Sequence, residues 1–175
     1  MDMAEIVLAV VIAFLLITAF NAVLAKKGRP SREDHPYAMR DRLFTQAEYS
    51  FLRVLDIAIG EELRVFGKVR IADVLKVSSK IPKTNWYQAF NKISAKHFDF
   101  VLVNPETTKI ELVVELNDRS HRSNKRQARD EFVRNACQSA NLRLIEIDAK
   151  RTYAPVEIRD LVNTARSELQ ATENA

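Results

Sequence analysis

"FDFVLVNPETTKIELVVELNDRSH", from Phe98 to His121, decides the fold. Two apolar runs flank a turn containing Pro105, which predicts strands over Phe98–Val103 and Ile110–Leu116. If the turn centres on Thr107, paired residue numbers sum to about 214, placing Asp99 opposite Glu115. The side-chain period of two then puts Phe98, Phe100, Leu102, Leu112, Val114 and Leu116 on one wholly apolar face, which must pack against a helix. His97, Asp99, Val101, Val103, Glu111, Val113, Glu115 and Asn117 fall on the other, with the polar residues gathered at one end.

Like charges directly opposite on neighbouring strands destabilise a sheet. A divalent cation between Asp99 and Glu115 would remove that cost, since magnesium favours carboxylates, carbonyls and water. Two other readings stay open: a register displaced by two, or neutralisation of the pair by Lys68 and Arg70 from the adjacent segment.

Working outward, Thr45 reads as a helix N-cap with Glu48 completing a capping box, and Gly60 ends that helix. Residues 63–75 alternate as a strand, with Val65, Gly67, Val69 and Ile71 on one side and Phe66, Lys68 and Arg70 on the other. Residues 83–94 suggest a short helix in which Trp86 and Tyr87 read as core or rim packing, base stacking being the other reading. Residues 123–140 form a helix with a stripe of Ala128, Phe132, Val133, Ala136 and Ala140. A strand at 142–148 and a closing helix at 155–169, with Pro155 in its first turn, complete the order. Helix, three strands, helix, strand, helix implies an α/β mixed sheet flanked by helices.

That order, with an acid opening one strand and Glu-x-(polar) closing the next, resembles the PD-(D/E)XK nuclease superfamily over residues 44–148. "KHFDFVLVNPETTKIELVVELNDRSH…RDEFVRNACQSANLRLIEI" is similar to a bacterial family of uncharacterised nuclease-like domains related to very-short-patch-repair endonucleases. The resemblance implies a restriction-endonuclease-like fold, an α-β-β-β-α-β core plus a C-terminal helix. It implies that Asp99, Glu115 and Glu48 bind Mg²⁺ or Mn²⁺, with the Leu116 carbonyl in the same shell. Asn117 stands where the superfamily usually has the lysine that orients the attacking water, a part that His121, His97, Lys96 or Lys68 could take. His121, Asp118 and Asp130 match polar positions of the nearer relatives.

"RSHRSNKRQAR" (119–129) sets Arg119, Arg122, Lys125, Arg126 and Arg129 just past the carboxylates. With Lys68 and Arg70, Arg119, Arg122 and Arg126 are the candidate phosphate contacts; a solvated helix face is the competing reading. An i,i+4 ion pair is the default for Asp130 and Arg134.

Ile6–Leu24 is an uncharged apolar run spanning roughly 28 Å as a helix, close to a bilayer core. Asp2 and Glu5 precede it while Lys26, Lys27, Arg29 and Arg32 follow, which favours an uncleaved anchor with its N-terminus outside over a secretory signal. The expected organisation is an anchor (1–25), a charged linker (26–43), a nuclease-like domain (44–170) and a tail (171–175), on the bacterial inner membrane with the domain in the cytoplasm. Composition, 47% hydrophobic and 29% charged, excludes a disordered or wholly membrane-embedded chain. All 27 Lys and Arg, against 21 of the 23 acids, lie after residue 25, so that part carries +6, which suits a polyanion or an anionic leaflet. Cys137, the single cysteine, excludes an intramolecular disulfide or a cysteine cluster for zinc and reads as a core thiol.

The sequence thus points to a membrane-anchored, Mg²⁺-dependent nuclease hydrolysing phosphodiester bonds of DNA, with the inner membrane engaged through residues 6–24 and no small-molecule organic cofactor. The alternative is a catalytically inactive nuclease-like domain that binds nucleic acid or a protein partner at the membrane.

Overall fold

A computed structural model describes residues 2–27, 35–117 and 124–173. The chain divides into two units, Met1–Asp41 and Arg42–Ala175. The first contains helix α1 (Met3–Lys27), whose Met3–Ala22 stretch is long and apolar enough to cross a membrane.

The second unit opens on α2 (Gln46–Ile59). The Thr45 hydroxyl accepts the Glu48 N–H while the Glu48 carboxylate accepts the Thr45 N–H at 2.9 Å, so the capping box forms as the sequence predicts. Gly60 ends the helix at φ +56°, a conformation that suits a residue without a Cβ. Then follow β1 (Arg64–Arg70), a helical turn α3 (Ile71–Val74), α4 (Lys83–Ser94), β2 (His97–Val103) and β3 (Ile110–Asn117). Helix α5 (Asn124–Ser139) leads to β4 (Arg143–Asp148), and α6 (Pro155–Glu173) closes the chain.

The four strands lie in the order β1-β2-β3-β4, antiparallel except for the β3–β4 pair. That parallel pair needs a crossover, which α5 supplies. The β2–β3 register has Phe100 opposite Val114, Val101 opposite Val113 and Leu102 opposite Leu112, the sums of 214 expected from the turn. Both faces are covered, which explains why β2 and β3 read as nearly continuous apolar runs. On one face α2 and α6 bury Phe51, Leu55, Ile158 and Val162 against Phe100, Leu102, Leu112 and Val114. On the other, Ile71 of α3, Ile93 of α4, and Val133 and Cys137 of α5 pack on Val101 and Val113. Of the expected α5 stripe, Phe132 and Ala136 join this core, while Ala128 and Ala140 stay exposed.

Strict alternation fails at the register shift between Leu102 and Val103, where Ile110 joins the second core and Leu112 the first, and again at the start of β2. Phe98 packs in the second core, across the sheet from Phe100. Val69 and Ile71 likewise share the second core whereas Val65 meets the first, and the strand expected over 63–75 gives way to α3 at Ile71. The cause is local: Lys68, between the Gly67–Phe100 and Val69–Phe98 pairs, adopts φ +56°. One left-handed residue inside a strand breaks the period of two, at a cost of about 1–2 kcal/mol for a side chain other than glycine. Over its neighbour Gly67 lies the Phe44 ring; an added Cβ would sit 2.2 Å from Phe44 Cζ, so that ring would have to shift.

Candidate functional site

The break in alternation turns the Lys68 and Asp99 side chains toward the start of α2. Lys68 Nζ donates to Glu48 Oε1 and to Asp99 Oδ1, each at 2.7 Å. Burial alone would lower the Lys68 pKa, but its hydrogen bonds to Asp99 and Glu48 take it above the ordinary lysine value, so the ammonium stays charged. Glu48 answers in the opposite sense: burial pushes its carboxyl up, and the Lys68 and Thr45 hydrogen bonds outweigh that and hold it below the usual range. Of the readings left open by the sequence, neutralisation by Lys68 therefore applies to Asp99 and Glu48.

Glu115 lies beyond that ammonium. It is 6% exposed and faces Asp99, 8% exposed, across the end of the hairpin. The acids are tied by a reciprocal exchange in which each carboxylate accepts a main-chain N–H from the opposite strand. Asp99 N–H donates to Glu115 Oε1 at 3.4 Å, and Leu116 N–H donates to Asp99 Oδ2 at 3.1 Å. Arg129, on α5, donates weakly to Glu115 Oε2 at 3.5 Å and to the His97 carbonyl at 3.4 Å. This is too little to offset burial, and burial followed by the Asp99 charge pushes the Glu115 carboxyl up to about 8.

The cluster opens into a cleft of about 1030 Å³ lined by Thr45, Glu48, Lys68, Asp99, Asn117, Arg129 and Arg134 among others. Asn117 directs its amide to Glu146 Oε1 at 3.2 Å, and Arg134 pairs with Glu146 at 2.9 Å. The i,i+4 pair expected for Asp130 and Arg134 does not form: β4 brings Glu146 to Arg134, and Asp130 stands 3.7 Å from Arg129. Arg70 turns to Asp73 at 2.6 Å, an exposed pair on the far side of the break, so it is not gathered into the cluster. His121, Asp118, Arg119 and Arg122 lie outside the described residues, as does the side chain of Arg126. His97 is exposed and meets Arg129 only through its carbonyl, and Lys96 lies 5.0 Å from the centre of the Phe132 ring. Burial pushes the Cys137 thiol up to about 12, which suits a core thiol.

Among the described residues, no group of three or more His, Cys, Asp or Glu side chains is arranged to hold a metal ion. Glu48 commits one oxygen to Thr45 and the other to Lys68. Asp99 and Glu115 do fit a hard divalent cation, because Mg²⁺ commonly takes one or two carboxylates and keeps several waters. They are also the two acids whose mutual repulsion such an ion would relieve. Sequence reasoning misses the contacts that Arg129, Glu146 and Arg134 make around these acids. A basic residue early in the crossover helix, set to look back over the strand ends, is the one signal that could have found Arg129.

A family model described as "protein of unknown function (DUF2726)" matches residues 40–165, nearly three quarters of the chain. The chain belongs to the DUF2726 family. No curated protein matches it, and no solved structure does. The DUF2726 match takes in Glu48, Lys68, Asp99, Glu115 and Arg129, while α1 falls outside it. What DUF2726 describes here is therefore the unit that carries the acidic cluster.

Proposed function

We propose that the second unit is a metal-dependent nuclease that hydrolyses phosphodiester bonds of DNA, held at the bacterial inner membrane by α1 with the unit on the cytoplasmic side. The observation that carries this reading is the Asp99–Glu115 pair, two buried acids side by side, of which Asp99 lines a cleft that also presents Lys68, Arg129 and Arg134. The restriction-endonuclease-like order of elements seen in the sequence is consistent with the observed sheet, and the finer fold assignment forms part of the proposal.

Asp99 and Glu115, with the Leu116 carbonyl, would hold Mg²⁺ or Mn²⁺, which when bound supplies Lewis-acid polarisation of the phosphate and a lowered pKa for water. Lys68 takes the part of the cation missing at Asn117. Because its pKa is raised, it serves as a charged donor to a phosphate oxygen and not as a base. Glu48 positions Lys68 through their 2.7 Å contact, and for Glu48 to enter a metal shell it must first release that ammonium. Arg129 and Arg134, with Arg119, Arg122 and Arg126, supply phosphate contacts that orient the strand. His121 is the candidate base.

One observation favours the second reading, an inactive nucleic-acid- or protein-binding domain: the Lys68 ammonium already balances Glu48 and Asp99 without a metal. The test incubates the full chain in detergent with linear, nicked and single-stranded DNA and Mg²⁺ or Mn²⁺, beside Asp99→Ala and Glu115→Ala. Cleavage by the parent that disappears in both variants supports the nuclease. Absence of cleavage with retained, salt-sensitive DNA binding supports the binding domain.

A further inference from the structure

Helix α4 and its approach carry a charge and an aromatic cluster that the acidic site does not use. From Val74 to Phe98 there is no Asp or Glu, while Lys76, Lys80, Lys83, Lys92 and Lys96 are present. This stretch alone carries +5, more than the net +4 of the whole chain. Among the described residues, no ion pair engages Lys76, Lys80, Lys83 or Lys92. Residues 119–129, with five cations and no acid, are a second such stretch of the unit.

The same helix presents Trp86, Tyr87 and Phe90. Trp86 and Phe90 stack in parallel, with centroids 5.2 Å apart and planes 8° from each other, and Tyr87 stands edge-on to Trp86 at 5.3 Å. Neither hydrophobic core includes the three rings; α4 is anchored through Ile93 instead. Tyr87 is 63% exposed. An aromatic trio that buries into no core, set among these lysines, has the chemistry of a base-stacking platform on a phosphate-attracting surface. Along the helix axis, Trp86 lies about 12 Å from Ser94, and the chain then enters β2 and reaches Asp99 five residues later.

We propose that α4 binds single-stranded DNA, stacking unpaired bases on Tyr87 and Trp86 and holding the backbone with Lys83, which shares their side of the helix, so that the substrate is a strand with an unpaired segment beside the scissile phosphate. The reaction part of this inference rests on the nuclease reading above; the binding part does not. Anionic lipid is the rival polyanion, but its headgroups offer no flat ring to a parallel aromatic stack.

Trp86 is the single tryptophan of the chain, so its fluorescence reports on the platform directly. The full chain in neutral detergent with EDTA is titrated with a thymidine 20-mer, a blunt duplex of equal length, and phosphatidylglycerol vesicles. The 20-mer is expected to quench Trp86 in a salt-sensitive manner and to bind at least about tenfold more tightly than the duplex. Tyr87→Ala weakens 20-mer binding about tenfold, and Lys83→Glu weakens it at low salt. Circular dichroism checks that these exposed substitutions leave the fold unchanged. No quenching by the 20-mer, equal binding of the duplex, 20-mer binding unchanged in the variants, or a response to vesicles alone each overturns the proposal. If the 20-mer binds as described yet neither metal yields cleavage, the nuclease reading falls and the platform stands. If DNA is cleaved and the α4 variants bind and cleave like the parent, the reverse holds.

Discussion

Two clusters in this unit use one cation to join two acids, and they differ in what remains. Arg166 on α6 meets Glu111 at 2.7 Å and Glu62 at 3.0 Å. Lys68 meets Glu48 and Asp99, both at 2.7 Å. Each sits at an irregularity of the sheet, the first at the register shift after Leu102 and the second at the left-handed Lys68. In the first cluster one guanidinium gives a separate N–H to each carboxylate, and Glu62 is mostly in water. In the second a third acid, Glu115, is buried beside Asp99, and among the described residues the one cation that meets it is Arg129 at 3.5 Å. One cluster fastens the fold, whereas the other holds a surplus buried acid that keeps its proton until the pH nears 8. A carboxyl pushed so far from its usual range is what marks a site.

The comparison can be broken most sharply by removing the surplus. Asp99→Ala or Glu115→Ala should abolish Mg²⁺-dependent cleavage, a loss of at least about a thousandfold, whereas Arg166→Met should leave the rate per folded molecule unchanged. Gel assays of nicked and linear DNA measure both.

Removing the cations should cost different amounts of stability. Lys68→Met leaves three acids together, two of them largely buried, and should cost about 2–3 kcal/mol in urea unfolding, less than for a fully buried pair because Lys68 is partly exposed. Arg166→Met, with one mostly solvated partner, should cost about 1 kcal/mol. Equal losses would undo the distinction between the two clusters.

The pH dependence tests the surplus itself. Since Glu115 titrates near 8 in the folded unit instead of near 4.5, the folded state holds a proton that the unfolded chain has released. The resulting stability is complete below about pH 4.5 and is lost as pH rises through 8. In chelator, the Tm should fall over that window, and Glu115→Gln should flatten the fall. A parent Tm that rises across the same range contradicts this.

The smallest effect concerns the support of the break. Gly67→Ala pushes on the far end of the Phe44 ring, which can swing aside, so the cost should be about 1 kcal/mol by thermal unfolding.

Much of this arrangement was legible in the sequence. The capping box at Thr45 and Glu48 and the β2–β3 register from Phe100–Val114 to Leu102–Leu112, which brings Asp99 near Glu115, are local or set by a short turn, where spacing alone fixes the partners. What could not be read depends on sheet order and on one backbone angle. Nothing in "RVFGKVR" announces that Lys68 adopts a positive φ, and without it Lys68 and Phe98 fall on the wrong faces. Glu146 reaches Asn117 and Arg134 because β4 pairs parallel with β3, with Glu115 opposite Glu146, a register the crossover helix leaves open to any sequence reading.

The exchange of main-chain N–H groups between the two acids also gives the unit a built-in reporter. The Leu116 amide depends on one oxygen of Asp99 for its hydrogen bond. Its ¹⁵N chemical shift and its rate of exchange with deuterium should therefore follow whatever occupies that carboxylate, whether a proton, Lys68 or an added ion, and occupancy could be followed at a single peptide group without any reaction taking place.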